Sequence, residues 1–181
     1  SYQGMVAYGV KFSPDGDSVA LCVALRAVGP DGQTYDEASM HVECIAVEPM
    51  SKGTAWLADW LAARYENGCC VAIDGKAGAA ALAEKLRQRN APVGFVEEIG
   101  AGQAIAAASM MLELIRDKRV THIDSPALDV SALTSVKRKI GNAGGWGWGG
   151  DGCAPIEAAS LAVWAVSTTK RNPYEKQEAW W

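Results

Sequence analysis

The sequence predicts a mixed α/β fold in which an antiparallel three-strand meander is followed by parallel strands, with helices on both faces of the sheet. Three observations predict it. Residues 5–47 hold three β-prone runs, two turn motifs (SPDG and GPDGQT) separate those runs, and helical and strand patterns alternate thereafter. At 181 residues, with 49% hydrophobic and 21% charged side chains, the chain suits one well-buried core. One domain over residues 1–181 is expected, with a polar tail from 170. No apolar run reaches the roughly 18 residues of a membrane helix.

The elements follow in order. MVAYGVKF (5–12) and SVALCVALRAV are strands joined by SPDG, where proline and glycine suit a type I turn, and SMHVECIAV (39–47) is the third strand. Between Gly53 and Asn67, the side chains of Trp56, Leu57, Trp60, Leu61 and Tyr65 recur at helical spacing, and Asn67-Gly68 is a stop signal. CCVAID (69–74) is continuously apolar until its final acid, as a strand buried on both faces would be. AGAAALAEKLRQRN reads as a helix, VGFVEEI as a strand, AGQAIAAASMMLELIRDK as a long helix, VTHID as a short strand and VSALTSVKRKIG as another helix. NAGGWGWGGDG, with six glycines, reads as a loop before the proline-led helix PIEAASLAVWAVSTTK.

The five cysteines form no CxxC pair and lie at no zinc spacing to His41 or His122, which fits a reducing, intracellular setting. Adjacent Cys69 and Cys70 suit small buried strand positions. The chain starts SYQG, with neither an initiator methionine nor a signal peptide, so a piece of a longer protein is expected. It has no GxxxxGK[ST] phosphate loop, and any ATPase partner domain would lie outside it. A net charge of −4 argues against a protein that coats nucleic acid. Three basic clusters nonetheless lie in the C-terminal half: Arg116, Lys118 and Arg119; Lys137, Arg138 and Lys139; Lys170 and Arg171. Each reads either as a solvated helix end or as part of a phosphate-facing surface.

Two acids stand out. Asp74 ends the central buried strand, where open α/β sheets place their ligands, and Asp151 precedes the last helix. Helix capping is the alternative for both. A metal-dependent phosphodiesterase needs carboxylates that converge from different elements to hold hard divalent ions. The first hairpin, Asp74 and Asp151 supply acids in that order.

On VAYGVKFSPDGDSVAL, CVAIDG, THIDSPALDVSALTSVKRK and WGWGGDGCAPIEAASLAVWA, the chain resembles the nuclease domain of the terminase large subunit of tailed bacteriophages, a ribonuclease H-like fold. The resemblance implies an endonuclease that cuts concatemeric double-stranded viral DNA at the start and end of packaging, with Mg²⁺ or Mn²⁺, two ions expected. It further implies an ATPase motor domain in the same full-length chain, the portal and the small terminase subunit as partners, and action in the host cytoplasm on the procapsid. Asp74 matches the family's central-strand acid and Asp151 the acid before the last helix.

Where the family pattern reads V-D-x-S, this chain reads Val10-Lys11-Phe12-Ser13. Strand alternation puts Lys11 on the face of Ala7 and Gly9, toward the acids, either within a metal position or against the scissile phosphate. Asp15 is then the expected third ligand, with turn chemistry as its alternative; Asp17, Asp124 and Glu48 are reserves, and His122 is a candidate for proton transfer. Lys137, Arg138 and Lys139 are expected to contact DNA phosphates, and Trp146 and Trp148 either to stack on bases or to anchor the loop. Two other readings remain open: a catalytically weakened domain that docks DNA or portal, and a junction-resolving nuclease on the same fold.

Overall fold

The computed structural model describes residues 4–27 and 39–174. Strands β1 (Gly4–Phe12), β2 (Ser18–Ala27) and β3 (Met40–Pro49) are followed by α1 (Ala55–Ala62), β4 (Cys70–Asp74), α2 (Ala79–Gln88), β5 (Val96–Glu98), α3 (Ala101–Arg116), β6 (Val120–His122), α4 (Pro126–Thr134), β7 (Val136–Ile140), β8 (Gly145–Gly149) and α5 (Ala154–Thr168). Six strands form one sheet in the order β5-β4-β1-β2-β3-β6, and β7 and β8 form a separate two-stranded ribbon. The meander β1-β2-β3 is antiparallel, β4 runs parallel to β1, β5 parallel to β4 and β6 parallel to β3. The chain therefore leaves β1 toward β2 on one side and returns as β4 on the other, which opens a crevice at the C-terminal ends of the two central strands.

The sheet's faces differ in side-chain size because the strands alternate large and small residues. Tyr8, Val10, Phe12, Leu21, Val71 and Ile73 point toward α1 and α2, where Leu57, Leu61, Leu82 and Leu86 meet them. Ala7, Ala20, Cys22, Ala24, Cys70 and Ala72 line the other face, under α3 and α5. Gly9 belongs to this second face by strand alternation. A Cβ at Gly9 would sit 1.9 Å from the Ala158 carbonyl oxygen of α5. Helix α5, buried along most of its length, thus lies directly on the backbone of β1.

Two elements depart from the expectations. The helix expected to continue through VSALTSVKRKIG stops at Thr134, and VKRKI is strand β7. The hydroxyls of Thr134 and Ser135 bond back to the carbonyls of Val130 and Ser131, which offers the backbone a competing partner at that point. The glycine-rich segment expected as a loop contains β8, paired with β7 in the register Val136↔Gly149, Arg138↔Gly147, Ile140↔Gly145. Of the basic clusters, Arg171 is taken up by structure: its guanidinium donates to the carbonyls of Tyr65, Gly68 and Cys69 at the start of β4. The expected GPDGQT turn and the terminal Trp180 and Trp181 lie outside the described residues.

Close contact between β1 and α5 leads to a paired expectation. Gly9→Ala forces backbone apart and lowers stability by about 3 kcal/mol. Gly102→Ala, in α3 with nothing within 4 Å of its added Cβ, raises stability by roughly 0.5–1 kcal/mol. Urea unfolding midpoints of the two variants against wild type check both signs.

Candidate active site

Lys11 and Asp74 are direct partners in the parallel register of β1 and β4, so both side chains leave the same face at the C-terminal edge of the sheet. The Lys11 Nζ donates to Asp74 Oδ2 at 2.6 Å. Asp74 also accepts the Gly75 N–H through Oδ1 at 2.8 Å, and α2 is capped instead at Gly78, so the helix-capping alternative does not describe it. Lys11 is buried at 6% exposure, a cost that only an anionic partner offsets.

The second anion is Glu157, in the first turn of α5, with Oε1 at 3.6 Å from Lys11 Nζ. Sequence reasoning passed over it. Its signal was a lone acid inside the otherwise apolar run PIEAASLAVWA, where a buried charge needs a reason. Glu157 reaches the strands because α5 sits so close to the alanine and glycine face. Burial pushes its carboxyl up from the ordinary value, and the nearby Lys11 charge opposes that push. The Cys153 thiol donates to Glu157 Oε2 at 3.4 Å, and burial raises the thiol to about 11. Arg138 of the ribbon places Nη2 at 3.7 Å from Glu157 Oε1.

The start of α5 is pinned from two sides. Ser131 of α4 donates to the Gly152 carbonyl and accepts the Ile156 N–H, which satisfies one of the helix's unpaired N-terminal donors. One turn beyond Glu157, Ser160 accepts the indole N–H of Trp148 at 2.9 Å. Trp148 is therefore a buried anchor of the ribbon, packed edge-on against Trp146. Gly147 and Gly149 carry no Cβ, and an added one would press on Ile140 and Arg138 respectively, so the glycines leave Arg138 room to lie across the ribbon toward Glu157. Lys137 stacks over the Trp146 ring at 4.6 Å, and Lys137, Arg138 and Lys139 are all exposed.

Asp74, Glu157 and Arg138 line one hollow, together with Trp148 and Ser160. Asp15 and Asp151 line a neighbouring cleft between the first hairpin and α4. Asp15 accepts the Ser13 hydroxyl at 2.5 Å and the Asp17 N–H at 3.0 Å, and these bonds hold its carboxyl below the usual range. It caps its turn. Asp151 stands exposed between Gly150 and Gly152, both at positive φ, before the helix begins. Cys153 joins the two hollows, since it lines the cleft and bonds Glu157. The reserve residues lie elsewhere: Glu48 pairs with Lys52, and His122, whose Nδ1 lies 2.9 Å from its neighbour's carbonyl and 3.6 Å from Asp129, is on the far edge strand with exposed Asp124 just beyond.

Among the described residues, no group of three or more acidic, histidine or cysteine side chains is placed to hold a metal ion. Mg²⁺ and Mn²⁺ take oxygen ligands, and Mg²⁺ is commonly held by one or two carboxylates completed by substrate phosphates. Asp74 and Glu157 fit one such ion on those terms, whereas the two-ion site expected from the sequence lacks a third carboxylate in this hollow.

No protein-family model and no curated protein matches the sequence. Solved structures do match in fold. The large terminase nuclease from thermophilic phage G20c superposes with a TM-score of 0.54 at 16% identity, over 88% of this chain and 81% of that one. The HK97 bacteriophage large terminase gives 0.55 at 15% identity, over 91% of this chain and 40% of that one. The Mn-soaked human cytomegalovirus terminase nuclease domain gives 0.50 at 12% identity, over 92% and 85%. At such identities the likeness is one of fold, and the chain has the ribonuclease H-like fold of terminase large-subunit nuclease domains.

Proposed function

We propose that this chain is the DNA-cutting domain of a viral terminase large subunit, an endonuclease for concatemeric double-stranded DNA that uses one divalent ion, Mg²⁺ or Mn²⁺. The observation that carries the reading is the meeting of Asp74, from β4, and Glu157, from α5, in one hollow beside a basic ribbon. An ion held there would polarise a phosphoryl oxygen and lower the pKa of an attacking water. The protein's own part is to fix the two carboxylates on rigid elements and to bring the DNA backbone to them. Lys137 and Lys139 face solvent and suit phosphate contact without base readout, with Trp146 supporting Lys137. In this reading an ATPase motor domain in the same full-length chain, the portal and the small terminase subunit are the partners, in the host cytoplasm at the procapsid.

A second reading is favoured by the 2.6 Å contact between Lys11 and Asp74. A domain whose carboxylates are already neutralised by its own lysine would dock DNA or portal without cutting. Plasmid nicking decides between them. With Mn²⁺, Asp74→Asn and Glu157→Gln each slow nicking roughly a hundredfold or more, since even outer-shell partners of metal ligands cost 10–100-fold. Nicking by wild type that neither substitution slows contradicts the metal-dependent reading.

Duplex binding is expected to follow the ribbon. Lys137→Ala and Lys139→Ala each weaken binding alike across sequences and reduce the slope of log affinity against log salt by about one. Fluorescence anisotropy over a salt series measures this.

Asp15 is left out of the proposed centre, and its turn role has its own signature. Asp15→Ala leaves nicking unchanged. Because the folded state favours the ionised carboxyl, the wild type's stability advantage over this variant is present above the ordinary pKa of 3.8. That advantage disappears as pH falls through the depressed folded value. Urea melts of both proteins between pH 2 and pH 6 show it.

A further inference from the structure

The Lys11 ammonium sits 2.6 Å from Asp74 Oδ2 and 3.6 Å from Glu157 Oε1, the two carboxylates that would hold a divalent ion. An ammonium within this distance of both acids repels a divalent cation and already satisfies part of their charge. Lys11 itself is buried, and its four-carbon stem leaves the β1 backbone directly opposite Asp74, so the head group can pivot without any movement of the strand. What draws it away must be an anion that enters the same hollow, and a DNA phosphate led in along the Arg138 side of the ribbon is one.

We propose that Lys11 is a built-in counter-ion that keeps the Asp74–Glu157 pair closed to divalent ions until a backbone phosphate of bound duplex takes the ammonium over, so that metal loading depends on DNA. This rests on the one-ion reading above. In the free protein the lysine stands in for the metal; in the DNA complex it becomes a phosphate ligand beside the ion. The exchange keeps the hydrolytic centre idle in a protein that meets divalent ions before DNA.

The test is Mn²⁺ binding, followed by electron paramagnetic resonance of free ion and independent of turnover. Full-length wild-type chain is titrated alone and with a phosphorothioate-substituted duplex that resists cleavage, with the duplex alone as the blank. Wild type is expected to bind Mn²⁺ at least tenfold more tightly with the duplex than without it, and Asp74→Asn to lose that gain. Lys11→Met in free protein is expected to bind at least tenfold more tightly than wild type and to gain at least tenfold less from duplex than wild type does, whereas Lys11→Arg, which keeps the charge, stays weak. If free wild type binds Mn²⁺ as tightly as Lys11→Met, or if duplex does not change wild-type affinity, the proposal is overturned. The second comparison needs no variant and holds even where Lys11→Met does not fold. Failure of the one-ion reading looks different: Asp74→Asn would then nick plasmid like wild type, whatever the titrations show.

Discussion

The approach of helix α5 onto the small-residue face of the sheet is the constraint from which the rest of the site follows. Ala7, Gly9, Ala20, Ala24 and Ala72 leave that face almost flat, and α5 packs against the β1 backbone itself at Gly9. A helix held off by leucines would leave a glutamate in its first turn too far from the strands to share an ammonium with an acid on β4. The opposite face takes the volume instead: Phe12, Leu21 and Ile73 are fully buried against α1 and α2. Size asymmetry between the faces thus concentrates conventional packing on one side and close backbone contact on the other, and the charged groups are gathered on the close side.

Close packing has an electrostatic consequence. Asp74 and Glu157 share a hollow, and burial, with the Asp74 charge adding to it, raises the cost of ionising Glu157. Two carboxylates brought together with little water need a cation, and removing one member of such a buried set is far more costly than never having built it. Lys11 supplies the cation from within the fold, with Arg138 adding a second, more exposed one on the Glu157 side. The central lysine is therefore not an anomaly in an apolar strand. Its register opposite Asp74 makes it the group through which the two acids can fold without help from solvent ions.

How legible this was in the sequence depended on the kind of signal. Strand alternation placed Lys11 on the face of Ala7 and Gly9, and the apolar run CCVAID placed Asp74 at a strand end; both are local patterns, and both hold. Glu157 was missed because the last helix is apolar all round, so no periodicity marked which side faced the sheet. Asp151 precedes that helix and lines the neighbouring cleft with Asp15, whereas Glu157, six residues further on, lines the hollow that holds Asp74. The ribbon was obscured by composition. Glycines at every second position of β8 look like a loop, but they sit opposite Val136, Arg138 and Ile140; a Cβ at Gly147 or Gly149 would collide with the Ile140 or Arg138 side chain of the partner strand, and one at Gly145 with Ile105 of α3. VKRKI reads as helix because it continues directly from one; the hydroxyls of Thr134 and Ser135 that end α4 give only a weak cue.

The ribbon matters beyond its charge because of how it is fastened. Trp148 bonds to Ser160 and Arg138 lies against Glu157, both on α5, while Ser131 of α4 holds the first turn of the same helix. The basic strand, the acid and the helix start are thus tied through short contacts into one unit. An exposed hairpin of five-residue strands has little stability alone, and this one takes its order from the buried indole. Any phosphate that settles on Lys137 or Lys139 is consequently positioned relative to Glu157 by α5 itself, and not by a loop that must first find its place. Arg138 and Lys11 both lie beside Glu157 Oε1, so if DNA binds as proposed, a backbone that followed the ribbon toward its Arg138 side would meet the Glu157 carboxylate before the Lys11 ammonium, and the cation of the resting site would lie at the end of the path taken by the anion that replaces its partners.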